Sequence, residues 1–490
     1  MKKFSVLEYL HADGIARTSL FLGSNCPEIL RPELQPRFAG KADLFIIAPS
    51  VKEASSQTWL EAAVQAMSAY LSADGIGYVL VSPRWRWKIM NLLRNAGLVL
   101  DTAFWHFPDP SSSRYLTPIE RSPGQFFVDI IMPKPSLKRT SAMWMLRFWG
   151  TRQFMINFWN PVGISVRRPN ARPLFQWIFQ GERRVSSGTA ILRTSWRGSK
   201  GASICYGFSG GEVSPSVIAK TASVEDSANL NKEAKVLENL VPEARRAGMH
   251  VPKVVGRQQN DQYSTLLLSF LPGQSAADLL ASQPEMLVPL MEKIVGCLER
   301  WHRATRMFRP LTRDLLDRTL LAPLQRLAPL IQDGEKYRDR LIAHCVDAVG
   351  KTVPFVSSHN DLTMANVLLD KQRELGILDW ETGCSESLPL IDFYYAVTDA
   401  IQIAENHTNR LDAFKACSLR DGPYFTKVVA WREQLQSAIG SPPDFAELCF
   451  HACWLHHALN EQQVTRPGEP RPFLEIVQWL AIHESNFNLN

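Results

Sequence analysis

Three polar side chains recur at short intervals in the last third of the chain: Asp361, Asn366 five residues later, and Asp379 eighteen residues after the first. Apolar runs predict two strands between Asn366 and Asp379, joined by a turn at 371–374. Such a hairpin returns Asp379 to the side of Asn366 and Asp361. Mg²⁺ prefers hard oxygen ligands and keeps several waters, so Asn366 and Asp379 are predicted metal ligands. Asp361 then remains to accept the proton of a substrate hydroxyl, which is the division of roles used in phosphoryl transfer.

The residues around these anchors resemble a known family. His-Asn-Asp-Leu-x-x-x-Asn-Val-Leu-Leu, starting at His359, is followed by Ile-Leu-Asp-Trp-Glu, starting at Ile377. This pair of motifs is similar to the catalytic and metal loops of the aminoglycoside phosphotransferase and choline kinase family. The resemblance covers about residues 180–490. It implies a protein-kinase-like fold and a small-molecule kinase that uses ATP and Mg²⁺.

Features upstream also resemble the nucleotide-binding part of that family. The apolar strand 216–220 ends in Lys220, which the resemblance makes a ligand of the nucleotide phosphates. Glu233 lies thirteen residues later, near the start of a predicted helix, and is expected to hold Lys220 through an ion pair. The basic turn 197–201 is expected to bind phosphate through backbone N–H groups, with the turn 209–211 as a weaker alternative. The turn residues expected to contact phosphate are Gly198, Ser199 and Gly201.

Two more residues have expected structural roles. The Pro-x-x-Asp-Phe sequence that ends in Phe393 is familiar in the same family, and Asp392 in it is expected to brace the catalytic loop from a helix N-terminus. His302 closes a helix in a Leu-Glu-Arg-Trp-His sequence, and we expect it to be structural.

Length and composition bound the wider organisation. A chain of 490 residues with 45% hydrophobic and 21% charged residues is expected to form two or three globular domains. The eight cysteines are scattered, without metal spacing, which favours reduced core cysteines in the cytoplasm. The N-terminus has no long apolar run, so a signal peptide is not predicted. A net charge of +6 does not call for nucleic acid.

Residues 1–135 have their own pattern. Short apolar runs at 42–48, 77–82, 98–107 and 125–132 predict strands, and helical patterns at 58–73 and 85–96 alternate with them. The order predicts a doubly wound, Rossmann-like α/β domain and resembles the second half of a class I methyltransferase. The glycine-rich turn and the two first strand–helix units of that family are missing. We therefore interpret the domain as truncated and without methyl transfer, with a generic α/β domain as the alternative.

The stretch 130–181 changes character, with eight Lys and Arg residues, many aromatic residues and no Asp or Glu. It can serve as a connector whose aromatic side chains pack on both neighbours, or as a membrane-interface segment. No nucleic-acid-binding motif accompanies it, so nucleic acid is not a predicted partner.

The predicted fold class is an α/β N-terminal domain followed by an α+β bilobal protein-kinase-like domain. The predicted boundaries are 1–135, a connector at 136–180, an N-lobe at 181–273 and a C-lobe at 274–490. The predicted function is ATP- and Mg²⁺-dependent transfer of the γ-phosphoryl group to a hydroxyl of a sugar-like, amino alcohol or aminoglycoside-like acceptor. The alternative is an inactive kinase-like scaffold. A cytoplasmic location is expected, with weak membrane-surface contact through 136–180 left open.

Overall fold

The computed structural model describes most of the chain. The described residues are 19–23, 41–107, 115–127, 162–171, 175, 178–179, 182, 185, 190–193, 202–260, 263–465 and 468–483. Contacts divide the chain into two compact units. The first is Met1–Asn231 with Val254–Phe270, and the second is Lys232–Lys253 with Leu271–Asn490. Among the described helices, none combines the length and the apolarity that a membrane span needs.

The described strands are β1 Ser19–Leu22, β2 Ala42–Ile47, β3 Leu71–Val81, β4 Val99–Phe107, β5 Tyr115–Pro118, β6 Val162–Arg167, β7 Ala190–Arg193, β8 Ser203–Gly207, β9 Val217–Ser223, β10 Met249–His250, β11 Val254–Gln259, β12 Tyr263–Ser269, β13 Gln274–Ser275, β14 Met307–Pro310, β15 Thr352–Ser358, β16 Val367–Leu369, β17 Leu375–Ile377 and β18 Cys384–Ser387. The described α-helices are α1 Val51–Ser55, α2 Gln57–Tyr70, α3 Arg86–Asn95, α4 Arg121–Phe126, α5 Ala228–Arg246, α6 Ala276–Ser282, α7 Leu287–Thr305, α8 Arg313–Leu316, α9 Ala322–Leu327, α10 Gly334–Ala348, α11 Ile391–Ala404, α12 Arg410–Ser418, α13 Phe425–Ile439, α14 Pro443–Val464 and α15 Pro472–His483.

One sheet organises the first unit. Within the described part of the chain, its eleven strands follow the order β1-β2-β3-β6-β4-β5-β7-β8-β9-β12-β11. The pairs β1–β2 and β2–β3 are parallel, and every other pair is antiparallel. The short pairing of β5 with β7 joins strands of the predicted N-terminal domain to strands of the predicted N-lobe in one sheet. The predicted domain boundaries stay predictions.

The two faces of this sheet are covered differently. Apolar side chains of α2 and α3, such as Leu60, Met67 and Leu93, pack on one face in a buried cluster. The other face forms a second cluster that includes Phe175 and Phe179. Helices on both faces define a doubly wound domain. The described helices α2 and α3 lie on one face, so the Rossmann-like arrangement stays a prediction.

Most strands and helices predicted in the first unit are present, but one is not. Gln125 and Phe126 belong to α4, where a strand at 125–132 was predicted, and residues 128–132 lie outside the described part. Phe126 instead packs on Tyr206, Phe208 and Phe270, because a short apolar run suits a helix in a buried cluster as well as a strand. The antiparallel strand between β3 and β4 is β6, which lies within the predicted connector.

The second unit is mainly helical, and α11 lies at its core. All but two of the fourteen residues of α11 are buried, as expected for a helix that is apolar on every side. Two small sheets accompany the helices, β10-β17-β16-β13 and β14-β15-β18. The sequence pattern predicts helices at 276–280, 285–305, 392–405, 410–417, 424–438, 443–461 and 473–484, and each is present with ends that differ by a few residues.

The predicted hairpin is also confirmed. Strands β16 and β17 pair antiparallel, with Val367 opposite Ile377 and Leu369 opposite Leu375. In the turn, the carboxylate of Asp370 accepts the backbone N–H of Glu374 at 2.7 Å. The hairpin therefore brings Asn366, just before β16, close in space to the residues that follow β17.

We expect Gly163→Ala to destabilise the first unit. A Cβ at this position in β6 would lie 1.8 Å from Tyr78 Oη, and that buried hydroxyl is hydrogen-bonded to His106 Nε2 at 2.8 Å. Overpacking of this kind costs about 1–3 kcal/mol. Urea unfolding followed by circular dichroism measures the change. Gly256→Ala is the matched control, because its Cβ would meet Leu267 at an ordinary 3.5 Å. Equal losses for both variants would contradict the packing argument.

Candidate active site

The catalytic loop begins where β15 ends at Ser358, and its first turn is held by a buried carboxylate. Asn360 has a positive φ of 61°, the left-handed conformation that asparagine tolerates better than most residues, and it turns the chain after β15. Asp392, in the first turn of α11, accepts both N–H groups at 2.7 Å. The expectation that Asp392 braces this loop is confirmed. Burial raises the pKa of Asp392 to about 6, and the two backbone hydrogen bonds act against that rise.

His359 links the loop to the end of the hairpin. Its Nδ1 accepts the backbone N–H of Asp361 at 3.2 Å, so the proton of the neutral ring is on Nε2. Nε2 then donates to the carbonyl of Leu378 at 2.7 Å. The imidazole is fully buried and packs edge-on against Trp380. His359 therefore sets the backbone on both sides of the site, at Asp361 and beside Asp379.

Asn366 closes the loop onto the hairpin. Its side-chain Nδ2 donates to the backbone carbonyl of Asp361 at 2.9 Å and lies 3.4 Å from the Asp361 carboxylate. Its own backbone carbonyl accepts the N–H of Leu378 at 2.9 Å. Asp379 follows in the left-handed conformation, with φ 63°. The loop and the hairpin thus bring Asp361 and Asn366 into contact. Asp379 directly follows Leu378, which is hydrogen-bonded to Asn366.

The Asp361 carboxyl group is half-buried in an acidic environment. Burial raises its pKa to about 7, and the negative charges of Asp379, Asp399, Glu381 and Asp392 add to the rise. A carboxyl group with a pKa near neutrality can take up and release a proton at physiological pH. Perturbed carboxyl groups of this kind are characteristic of functional sites.

Glu233 is buried in the second unit, beside the end of the hairpin. Its carboxylate accepts the backbone N–H of Trp380 at 3.3 Å, directly after Asp379. Lys220 lies on β9 in the first unit. The ion pair between these two residues stays a prediction. The predicted phosphate-binding residues Gly198, Ser199 and Gly201 lie outside the described residues.

Two contributors to the site were not predicted from the sequence. Asp399 accepts the backbone N–H of Met364 at 2.8 Å, near the end of the catalytic loop. Arg410 pairs with Asp399 at 2.8 Å. The seven-residue spacing of Asp392 and Asp399 in an apolar helix is a signal that both face the same side. The sequence contains no comparable signal for Arg410.

The comparison with family models agrees with this geometry. Residues 206–417 match the model of the phosphotransferase enzyme family, APH. The resemblance predicted for the C-terminal two-thirds of the chain is thus confirmed over that segment, which includes Asp361, Asn366 and Asp379. The resemblance of the N-terminal part to a truncated methyltransferase is not confirmed. The comparison with curated proteins found no match.

Solved structures of this kind are also similar to the chain. Aminoglycoside phosphotransferase APH(3'')-Id from Streptomyces rimosus, in complex with ADP and streptomycin, is 14% identical with a TM-score of 0.37, over 57% of this chain and 95% of that one. A putative fructosamine-3-kinase from Haemophilus somnus is 11% identical with a TM-score of 0.35, over 57% of this chain and 86% of that one. A thermostable mutant of APH(4)-Ia with ADP and hygromycin B is 13% identical with a TM-score of 0.36, over 59% and 91%.

Aromatic side chains pack against Trp380, next to the end of the hairpin. Trp380 packs edge-on against Trp301 at 5.4 Å between ring centroids, and His302 follows on the same helix. His302 is buried, and in the described part of the chain neither of its ring nitrogens has a hydrogen-bond partner. Burial lowers the pKa of His302 to about 4. The expectation that His302 is structural agrees with this environment.

We expect His302→Phe to reduce the acid sensitivity of the second unit. The folded protein keeps His302 neutral, whereas the unfolded chain takes up a proton below pH about 6.5. The contribution of His302 to the free energy of unfolding is therefore fully present above pH about 6.5 and is lost as pH falls toward 4. The full difference is about 3 kcal/mol. Urea unfolding at a series of pH values should show a shallower decline for the variant. Parallel declines for both proteins would contradict the assignment.

Proposed function

We propose that the chain is an ATP- and Mg²⁺-dependent phosphotransferase that moves the γ-phosphoryl group to a hydroxyl of a small polar metabolite. Sugar-like, amino alcohol and aminoglycoside-like compounds are the acceptor classes. One observation carries the proposal: the Asp361 carboxyl group is held beside Asn366, and its pKa is raised to about 7. Such a group suits the proton transfer that a hydroxyl acceptor requires. The match of residues 206–417 to a phosphotransferase family supports the same reaction type.

The donor set fits Mg²⁺ bound together with a nucleotide. Asn366 uses its amide N–H on Asp361, which leaves its carbonyl oxygen to face a cation. Asp379 supplies a carboxylate. In the described part of the chain, no group of three or more His, Cys, Asp or Glu side chains could hold a metal by itself. Mg²⁺ commonly binds through one or two protein groups and completes its shell with water and phosphate oxygens.

The proposed roles follow from these positions. When bound, Mg²⁺ would offset the charge of the phosphate groups. Asp361 accepts the proton of the acceptor hydroxyl as that oxygen attacks the γ-phosphorus atom, while ADP leaves from the opposite side. Lys220 binds the phosphates and Glu233 orients it. The residues proposed to bind phosphate through backbone N–H groups are Gly198, Ser199 and Gly201.

The proposed partner is therefore a small-molecule acceptor, with no role for nucleic acid, and the proposed location is the cytoplasm. Contact with a membrane surface was raised for residues 136–180, but 136–161 lie outside the described residues. That contact has no part in the reaction proposed here.

We expect Asp361→Asn to lower turnover about 100-fold or more, since the amide cannot accept a proton. Nucleotide affinity should change little, because Asn366 and Asp379 are untouched. ADP release is measured with Mg-ATP against a pool of sugars, amino alcohols and aminoglycosides. Asp421→Asn is the matched control, because it removes the same charge from an exposed residue outside the loop.

Three outcomes are informative. Acceptor-dependent ADP release by wild type and Asp421→Asn, but not by Asp361→Asn, supports the proposal. Equal turnover by all three proteins with a confirmed acceptor would show that Asp361 is not the base. No release by wild type with any acceptor, despite tight Mg-ATP binding, would favour the inactive scaffold.

A further inference from the structure

Two carboxylates of helix α11 bind the catalytic loop, one near the start of the loop and one near its end. Near its N-terminus, Asp392 accepts the backbone N–H groups of His359 and Asn360. Seven residues later on the same face, Asp399 accepts the backbone N–H of Met364 at 2.8 Å. Asp361 lies between these two attachments. The position of its carboxylate therefore depends on both of them.

The second attachment has a partner that the first lacks. Arg410, the first residue of α12, donates from Nη2 to Asp399 at 2.8 Å. The two side chains are only 14% and 8% exposed, so the pair is largely withdrawn from water. Among the described residues no ion pair is seen for Asp392. A carboxylate withdrawn from water needs a charged partner held in good geometry, and Arg410 is that partner for Asp399.

The Arg410 guanidinium is itself held in place by aromatic rings from two other helices. It lies over Tyr395 of α11 at 5.3 Å and over Phe473 of α15 at 4.8 Å from the ring centroids. His457 of α14 stacks on the same two rings, at 3.8 Å and 5.1 Å. Cation–π contacts at buried sites are among the stronger ones. These ring contacts restrict the position of the Arg410 guanidinium, and the hydrogen bond from Arg410 in turn restricts the Asp399 carboxylate.

Met364 is the loop residue whose backbone is bound by Asp399. Its side chain is fully buried, its N–H donates to Asp399, and its carbonyl accepts the N–H of Ala277 at 3.0 Å. If Asp399 were lost as an acceptor, the Met364 N–H would be left in the interior without its partner. The loop would then be free to shift between Asp392 and Asn366, and Asp361 would shift with it.

We propose that Arg410 is a positioning residue for phosphoryl transfer: through Asp399 it fixes the backbone at Met364 and thereby the direction of the Asp361 carboxylate. The inference rests on the proposed function for its catalytic half. Its structural half, the chain of contacts from Arg410 to Met364, stands independently of any acceptor.

The structural half is tested by hydrogen exchange of the Met364 amide in the full-length protein. Arg410→Gln removes the charge, and Met364 should exchange at least about tenfold faster. Arg410→Lys keeps the charge and should return exchange toward the wild-type rate. Asp399→Asn should accelerate exchange as Arg410→Gln does, and the double variant should add little, because both act through one contact.

Arg432→Gln is the matched control. Arg432 is also a buried arginine of the second unit, at 7% exposed, but it pairs with Glu433 at 3.8 Å, and among the described residues no hydrogen bond or ion pair is seen between it and the loop. The Arg432→Gln substitution should destabilise the protein without selectively accelerating hydrogen exchange of the Met364 amide. Equal acceleration by Arg432→Gln and Arg410→Gln, or no acceleration by Arg410→Gln, would overturn the inference.

The catalytic half is tested with Mg-ATP and the acceptor pool. Arg410→Gln should lower kcat at least about tenfold while leaving the Kd for Mg-ATP unchanged, with Arg410→Lys intermediate. If wild type is active and Arg410→Gln keeps its kcat despite faster exchange at Met364, the catalytic role is overturned. If wild type releases no ADP with any acceptor, the proposed function fails. In that case Arg410 is a support of the loop and not a residue of phosphoryl transfer, whatever the exchange shows.

Discussion

Backbone N–H groups inside a protein must find acceptors, and for three N–H groups of the catalytic loop the acceptors are carboxylates of a single helix. The N–H groups of His359 and Asn360 are bound by Asp392, and that of Met364 by Asp399. The loop is therefore fixed to α11, a helix of which twelve of the fourteen residues are buried. The conformation of the loop, and the place of Asp361 within it, depend on these bonds.

The arrangement has an electrostatic cost. Burial, together with the negative charges of Asp379 and Asp399, raises the pKa of Asp361 to about 7, and burial raises the pKa of Asp392 to about 6. Carboxylates bind these N–H groups more strongly than neutral oxygen acceptors would, but burying their charge costs stability. A divalent cation at Asn366 and Asp379 would offset part of this charge.

The sequence was sufficient to predict the local parts of this site. Asp361, Asn366 and Asp379 could be placed together because the hairpin between them is short and its apolar residues are continuous, and the observed pairing of β16 with β17 agrees. Helices α6, α7 and α11 to α15 could be predicted to within a few residues because apolar residues recur in them at helical spacing, whereas α8, α9 and α10 were not predicted. Asp392 could be recognised from its motif, as the bonds to His359 and Asn360 show.

Long-range features could not be predicted in the same way. The insertion of β6 between β3 and β4 brings together residues more than fifty positions apart, and no local pattern specifies such a partner. The Phe126–Phe127 run was assigned to a strand because periodicity does not separate short buried helices from strands. Arg410 depends on rings from two further helices, so its role became visible only with the packing of α11, α14 and α15.

The central claim is that Asn366 and Asp379 bind a cation together with the nucleotide, beside Asp361. Titration calorimetry of ATP with and without Mg²⁺, on wild type and Asp379→Ala, tests it most directly. The account predicts that wild type binds ATP with Mg²⁺ much more tightly than without it. Asp379→Ala should lose at least about tenfold in affinity, or 1.4 kcal/mol, in the presence of Mg²⁺. Equal affinity of the two proteins for Mg-ATP, or wild-type binding that does not depend on Mg²⁺, would contradict the account.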